Sequence, residues 1–208
     1  PNDDLLDQVS TRYYMIANIS PEAGFNAGWI FQHNPRLLRS NPAHNPVPLY
    51  RAAANRGNKE AQFMMGSIMK RFQNNEVALA RFKEAASQHH LGAQFALAEM
   101  FLKGQGIQQS DEQQAFEWFQ KGYQNESFKE HWRMLYQLSE PQNEIQAFQL
   151  FKDRVYEGSI EMILANTYAS LGDFQQYISC LSLASEKRRV LPNFTLARHY
   201  ETGADGIA

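Results

Sequence analysis

"GAQFALAEMFLKGQGIQQSDEQQAFEWFQKG", residues 92–122, holds a Gly-x-Gly at Gly104 and Gly106 between two amphipathic runs. A dinucleotide-binding loop follows a strand and requires a third glycine three residues after the second. Here the preceding run has helical spacing and position 109 is Gln, so the phosphate reading fails on both counts. The glycines instead suit a turn after a helix, where positive backbone angles are needed. Ser110 to Gln113, "SDEQ", reads as a capping box that opens the next helix. The stretch is therefore a helix, a turn and a second helix.

The first of these helices recurs along the chain. "AGFNAGWIF" from Ala23, "AQFMMGSIM" from Ala61 and "AQFALAEMF" from Ala93 share their columns, and weaker copies begin at Glu130, Ile160 and Pro192. Four residues on from each start stand Ala27, Met65, Leu97, Met134, Leu164 and Leu196; the next column is Gly28, Gly66, Ala98, Leu135, Ala165 and Ala197. Eight residues on are Phe31, Met69, Phe101, Leu138, Tyr168 and Tyr200. This is one face of an amphipathic helix, here helix A, whose small column lets a neighbouring helix approach closely.

A second helix, B, follows the first five copies. It is marked by Pro46/Tyr50, Ala78/Phe82, Ala115/Phe119, Ala147/Phe151 and Tyr177/Leu181, with an earlier copy at Val9/Tyr13. The four-on column advances by 38, 32, 37, 30 and 32 residues, the period of a helix-turn-helix repeat. Twelve helices are implied.

The blocks "AAANRGNKEAQFMMGSIM" and "GAQFALAEMFLKGQGIQQSDEQQAFEWFQKG", with the Gly-x-Gly-Ile turn and the pair Trp118-Phe119, resemble the Sel1-like repeat family, a relative of the tetratricopeptide repeat. The copy around "LANTYASLGDFQQYISCLSLA" is more similar to a tetratricopeptide repeat, with Leu171-Gly172-Asp173 replacing the longer loop. The resemblance covers nearly all of the chain, strongly between about residues 50 and 122. It implies an all-α fold, a right-handed superhelical solenoid of antiparallel helix pairs with A helices lining the concave face. Residues 1–208 are then one continuous solenoid of five to six repeats. The chain opens on a helix B without its A and closes on "YETGADGIA", an echo of the Gly104–Ile107 turn, so a segment of a longer array is expected.

Composition removes several classes of function. Twenty basic residues are offset by twenty-two acidic ones, for a net charge of -2, which gives no footprint for nucleic acid. No run approaches the roughly 18 apolar residues of a membrane span. The single cysteine, Cys180, excludes an internal disulfide framework and any multi-cysteine zinc site. No cofactor is expected.

Catalytic candidates are few. Ser67 and Lys70 match Ser-x-x-Lys and fall on one helix face, but Ser-Asp-Asn and Lys-Thr-Gly are absent and the serine lies mid-helix. His89 and His90 point about 100 degrees apart on a helix and make a poor chelating pair, so solvated or capping roles are expected and no metal. Cys180 reads as a small core or near-core thiol. The cysteine-rich family members linked to penicillin binding have paired cysteines that this chain lacks. The protein is read as not an enzyme.

Recognition by the concave face remains. On tetratricopeptide geometry the ligand-facing slots are Asn26, Ser67, Lys70, Arg71, Glu99, Lys103, Arg133, Tyr136, Asn166 and Arg198, five of them basic and one acidic. The two-on column, Phe25, Phe63, Phe95, Trp132, Met162 and Phe194, either packs adjacent helices or leaves edges exposed as a floor for peptide side chains. Basic groups beside aromatics suit an extended peptide with acidic groups or a free C-terminus. The resemblance implies a protein-protein interaction scaffold or adaptor; its alternative is binding of a cell-wall or glycan ligand, or control of a cell-wall enzyme. A Gln- and Asn-rich tone and scarce cysteine lean towards a bacterial envelope, periplasmic or secreted setting.

Overall fold

Every regular element among the described residues is an α-helix. The computed structural model describes residues 8, 11–12, 14–17, 19–33, 45–136, 144–154 and 159–188. Contacts divide the chain into two units, residues 1–93 with 105–108, and residues 94–104 with 109–208.

The first unit contains α1 (Pro21–His33), α2 (Pro46–Asn55), α3 (Lys59–Arg71) and α4 (Asn75–Ser87), each packed on the next. Capping sets their starts. Ser20 accepts from Ala23 N at 3.0 Å, Asn58 from Ala61 N at 2.7 Å and Asn74 from Val77 N at 3.4 Å. Asn45 caps α2 and Pro46 stands in its first turn, where a missing N–H costs nothing. The A columns Ala27, Phe31, Ala61 and Met65 and the B columns Tyr50, Ala78 and Phe82 are buried. Ala17, in the helical stretch 14–17, joins Ala27, Phe31 and Leu49, with Tyr14 against the cluster.

The small column does what its spacing requires. A Cβ on Gly28 would come within 2.9 Å of the Tyr50 ring, and one on Gly66 within 2.7 Å of the Phe82 ring. Any larger residue must displace a buried ring.

The second unit contains most of α5 (Leu91–Lys103), then α6 (Glu112–Tyr123), α7 (Glu126–Tyr136), α8 (Glu144–Arg154), α9 (Ser159–Ser170) and α10 (Phe174–Arg188). Helix α7 packs on α9 and α6 on α8, so A helices neighbour A and B neighbour B, while α9 packs on its own partner α10. The core is aromatic. Phe95, Phe119, Phe128, Trp132 and Phe151 are at most 2% exposed, and Phe119 lies 5.7 Å from Phe95, 6.0 Å from Trp132 and 5.1 Å from Phe151.

One carbonyl closes each described A–B turn. Met69 O accepts from Asn74 N, Phe101 O from Asp111 N and Tyr168 O from Asp173 N, all at 2.9 Å. The acceptor is the eight-on column in each case, so the longer loop 104–110 is an insertion into a closure shared with the short turns. Gly104, Gly106 and Gly172 have φ of 65°, 78° and 74°, as their turn roles demand.

Three expectations change. The capping residue of α6 is Asp111, which accepts from Gln114 N at 2.9 Å, not Ser110; the Asp111 N–H already bonded to Phe101 O sets the start one residue later. The fourth copy also starts earlier than its columns suggest. Asn125 caps α7 through Phe128 N, five residues before Glu130, whereas α1, α3 and α5 are capped three residues before their first column. The extra turn buries Phe128, which stacks on Phe95 at 4.2 Å. Finally, the two histidines keep the solvated and capping roles expected of them but do not share one helix: exposed His89 takes the turn at φ 60°, and His90 caps the next helix, its Nδ1 accepting from Ala93 N at 3.1 Å. The expected pair Val9/Tyr13 and the copy from Pro192 lie outside the described residues.

Candidate functional site

The two-on aromatic column is core, not floor. Phe25, Phe63 and Phe95 are 3%, 3% and 2% exposed and Trp132 is fully buried. Phe63 stacks on His90 at 4.5 Å and lies 5.7 Å from Phe82; Phe25 lies 5.8 Å from Tyr50. Packing against the B helix and the start of the next repeat consumes these rings. Met162 is half-buried and Phe194 falls outside the described residues.

In the first unit the ligand-facing slots differ in character. Asn26 and Arg71 are exposed, Lys70 is half-buried, and Lys70 and Arg71 occupy the last turn of α3, where cations complement the helix dipole. Ser67 donates its hydroxyl to Phe63 O at 3.1 Å, back-bonding within its own helix. A hydroxyl committed in this way is not presented as a nucleophile. Trp29 and His33, one turn apart on α1, stack at 4.4 Å, and His33 Nδ1 donates to Trp29 O at 2.9 Å. Burial pushes the His33 imidazole below its ordinary range, opposed by that backbone bond.

In the second unit Glu99 and Lys103 come together as an ion pair at 2.6 Å, with side chains only 7% and 14% exposed. The acid the sequence placed among bases neutralises one of them. Arg133 is half-buried and lies within electrostatic reach of the Tyr123 hydroxyl, a neighbourhood it shares with Lys129, Glu144 and Glu126. Burial raises the Tyr123 hydroxyl, and Arg133 and Lys129 offset part of that rise. Asn166 is exposed on α9. Tyr136 ends α7 with its side chain outside the described set, and Arg198 is not among the described residues.

Cys180 is 1% exposed, and burial, then Glu161 and Asp173, raise its thiol well above the ordinary range. A thiol held protonated is a poor nucleophile. The described residues contain no cluster of three or more His, Cys, Asp or Glu placed to hold a metal ion, and no described helix is long and apolar enough to cross a membrane.

Sequence reasoning missed an open cleft of ≈ 550 Å³ between the α3–α4 turn, residues 73–76, and the loop residues 106–108. It lies outside the helical columns, and only the Asn- and Gln-rich turn hinted at it in sequence.

These features define an α-helical repeat protein built from helix-turn-helix pairs with buried aromatic columns. The Sel1 repeat family model matches residues 91–127 and 134–152. No curated protein sequence matches it. Among solved structures it is similar to a protective antigen of uropathogenic Escherichia coli displaying an SLR fold, at 21% identity and a TM-score of 0.48, over 87% of this chain and 40% of that one. It is also similar to a Sel1 repeat protein from Oxalobacter formigenes, at 17% identity and a TM-score of 0.46, over 80% of this chain and 73% of that one. The chain thus spans about 40% of the length of the E. coli antigen.

Proposed function

We propose that this protein is a non-catalytic scaffold that holds a segment of another protein against polar slots on its A helices. Sel1 repeats typically mediate protein-protein interaction. The observation that carries the reading is the division of labour on each A helix. Aromatic and small columns are spent on the core, while Asn26, Arg71 and Asn166 are exposed and Lys70 is half-buried. Ser67, the one candidate nucleophile on these faces, donates its hydroxyl to the backbone.

The partner segment carries acidic side chains or a free C-terminus, for which Lys70 and Arg71 supply charge-assisted donors. Lys103 contributes less to such a partner than its charge suggests, because a carboxylate arriving there competes with Glu99. The test is to isolate the partner from the native source by in-cell crosslinking and measure its affinity for the purified protein. Arg71→Ala and Lys70→Ala should each weaken binding by roughly 1.5 to 3 kcal/mol, less at high salt. Ser67→Ala should be near neutral. A partner whose affinity ignores all three substitutions would place recognition elsewhere on the chain, and activity lost through Ser67→Ala alone would replace the scaffold with an enzyme.

A further inference from the structure

The α3–α4 turn and the loop residues 106–108 face each other across a cleft of ≈ 550 Å³ within the first unit. Its walls are held in place. Gly106 is seated so closely on the start of α4 that a Cβ would fall 2.5 Å from Asn75 O, and backbone at that distance cannot give way cheaply. Across the turn, Asn74 N is bonded to Met69 O at 2.9 Å, and the Asn74 side chain caps α4 through Val77 N.

The lining chemistry is selective. Gln73, Asn74, Asn75 and Gln108 bring four primary amides, each with donors and an acceptor. Glu76 adds one carboxylate and Ile107 the single aliphatic side chain. Among the described residues no Lys, Arg or His lines the cleft. An anion would meet Glu76 without a cation to offset it, and an apolar ligand would bury amides without partners. A metal ion would find only one carboxylate. A ligand rich in hydroxyls, each both donor and acceptor, matches the amides and the carboxylate together. The volume lies within the roughly 300–1,000 Å³ of small-ligand sites.

We propose that this cleft is a binding site for a neutral saccharide, distinct from the scaffold slots on the A helices. Gln73, Asn75, Glu76 and Gln108 exchange hydrogen bonds with its hydroxyls. The site does not depend on the scaffold reading, since Lys70 and Arg71 are not among its lining residues.

The experiment titrates the ¹⁵N-labelled protein with cellotriose, with chitotriose and, as the peptide arm, with triglycine, following the side-chain amide resonances of Gln73, Asn74, Asn75 and Gln108. One of the two trisaccharides should shift these resonances saturably, and Gln73→Ala and Gln108→Ala should each weaken its binding about tenfold. Lys70→Ala should leave it unchanged. Both substituted residues are exposed, so retained helicity and melting temperature separate a lost site from a lost fold. Absence of saturable shifts with either sugar at about 20 mM, a level that detects even a millimolar Kd, overturns the proposal. So do shifts indifferent to both substitutions, and shifts produced by triglycine alone, which would make the cleft a peptide site.

Discussion

Gly66 on α3 sits directly under the ring of Phe82 on α4, and a Cβ at that glycine would come 2.7 Å from both Cδ1 and Cε1 of the ring. Phe82 is itself 1% exposed, so the ring has nowhere to retreat without opening the core. Gly66→Leu is therefore expected to cost about 1 to 3 kcal/mol, with Gly66→Ala at the low end. Urea unfolding at constant m-value would read the loss. Phe82→Leu in the Gly66→Ala background should return part of it, because the smaller side chain vacates the space the new methyl needs. An additive double variant would show that the two residues do not share that space.

The turns at Gly57 and His89 are built alike. The N–H of the residue that follows each, Asn58 or His90, bonds back to Ala53 O or Ala85 O, and φ is 93° at Gly57 and 60° at His89. A residue with a Cβ pays steric strain in that conformation that glycine avoids. His89→Gly should stabilise by roughly 0.5 to 1 kcal/mol and Gly57→Ala should destabilise by about 1 kcal/mol. A pair of thermal melts decides it; equal melting temperatures for His89→Gly and the parent protein would refute the strain.

Glu99 and Lys103 form a largely buried ion pair. With side chains 7% and 14% exposed, removing the ammonium leaves a carboxylate shielded from water. Lys103→Met should cost about 3 kcal/mol, and Glu99→Gln combined with it should cost less than Lys103→Met by itself. Chemical denaturation of the four proteins closes the cycle. A double variant as unstable as the sum of the singles would mean that the pair contributes no coupling.

Acid should weaken the first unit through His33. Its imidazole is buried and its folded pKa lies below the unfolded value of 6.5, so the folded state holds it neutral where the unfolded chain takes up a proton. The stability this provides is complete above pH 6.5 and is lost as pH falls through the window down to the folded value. His33→Gln should therefore flatten the decline of stability between about pH 6.5 and 5 relative to the parent protein. Parallel declines in the two proteins would show that His33 does not carry the effect.

The repeat was legible because its cause is local. Small and large residues recur at helical spacing in Gly28, Gly66 and Ala98 and in Tyr50, Phe82 and Phe119, and each pair needs only its own helix hairpin to be understood. The turn glycines were legible for the same reason, since a positive φ is a demand of the backbone at one residue. Where the sequence misled, a distant partner intervened. Asp111 became the helix cap because Phe101 O, ten residues earlier, captures its N–H. The fourth A helix began at Asn125 because Phe128 finds the face of Phe95, thirty-three residues away.

The candidate site divides along the same line. Residue type and spacing alone determined an all-α repeat, the buried identity of Cys180, and the list of polar residues that an A helix could present. Only tertiary structure decided which of them are spent: Ser67 on its own backbone, Glu99 and Lys103 on each other, the aromatic column on the core. The cleft at the α3–α4 turn belongs wholly to the second kind. Its walls, residues 73–76 and 106–108, are separated in sequence by two helices and meet because Gly106 permits a backbone contact that no other residue would. Helical periodicity records which face of a segment is apolar; it holds no record of which loops that burial brings together.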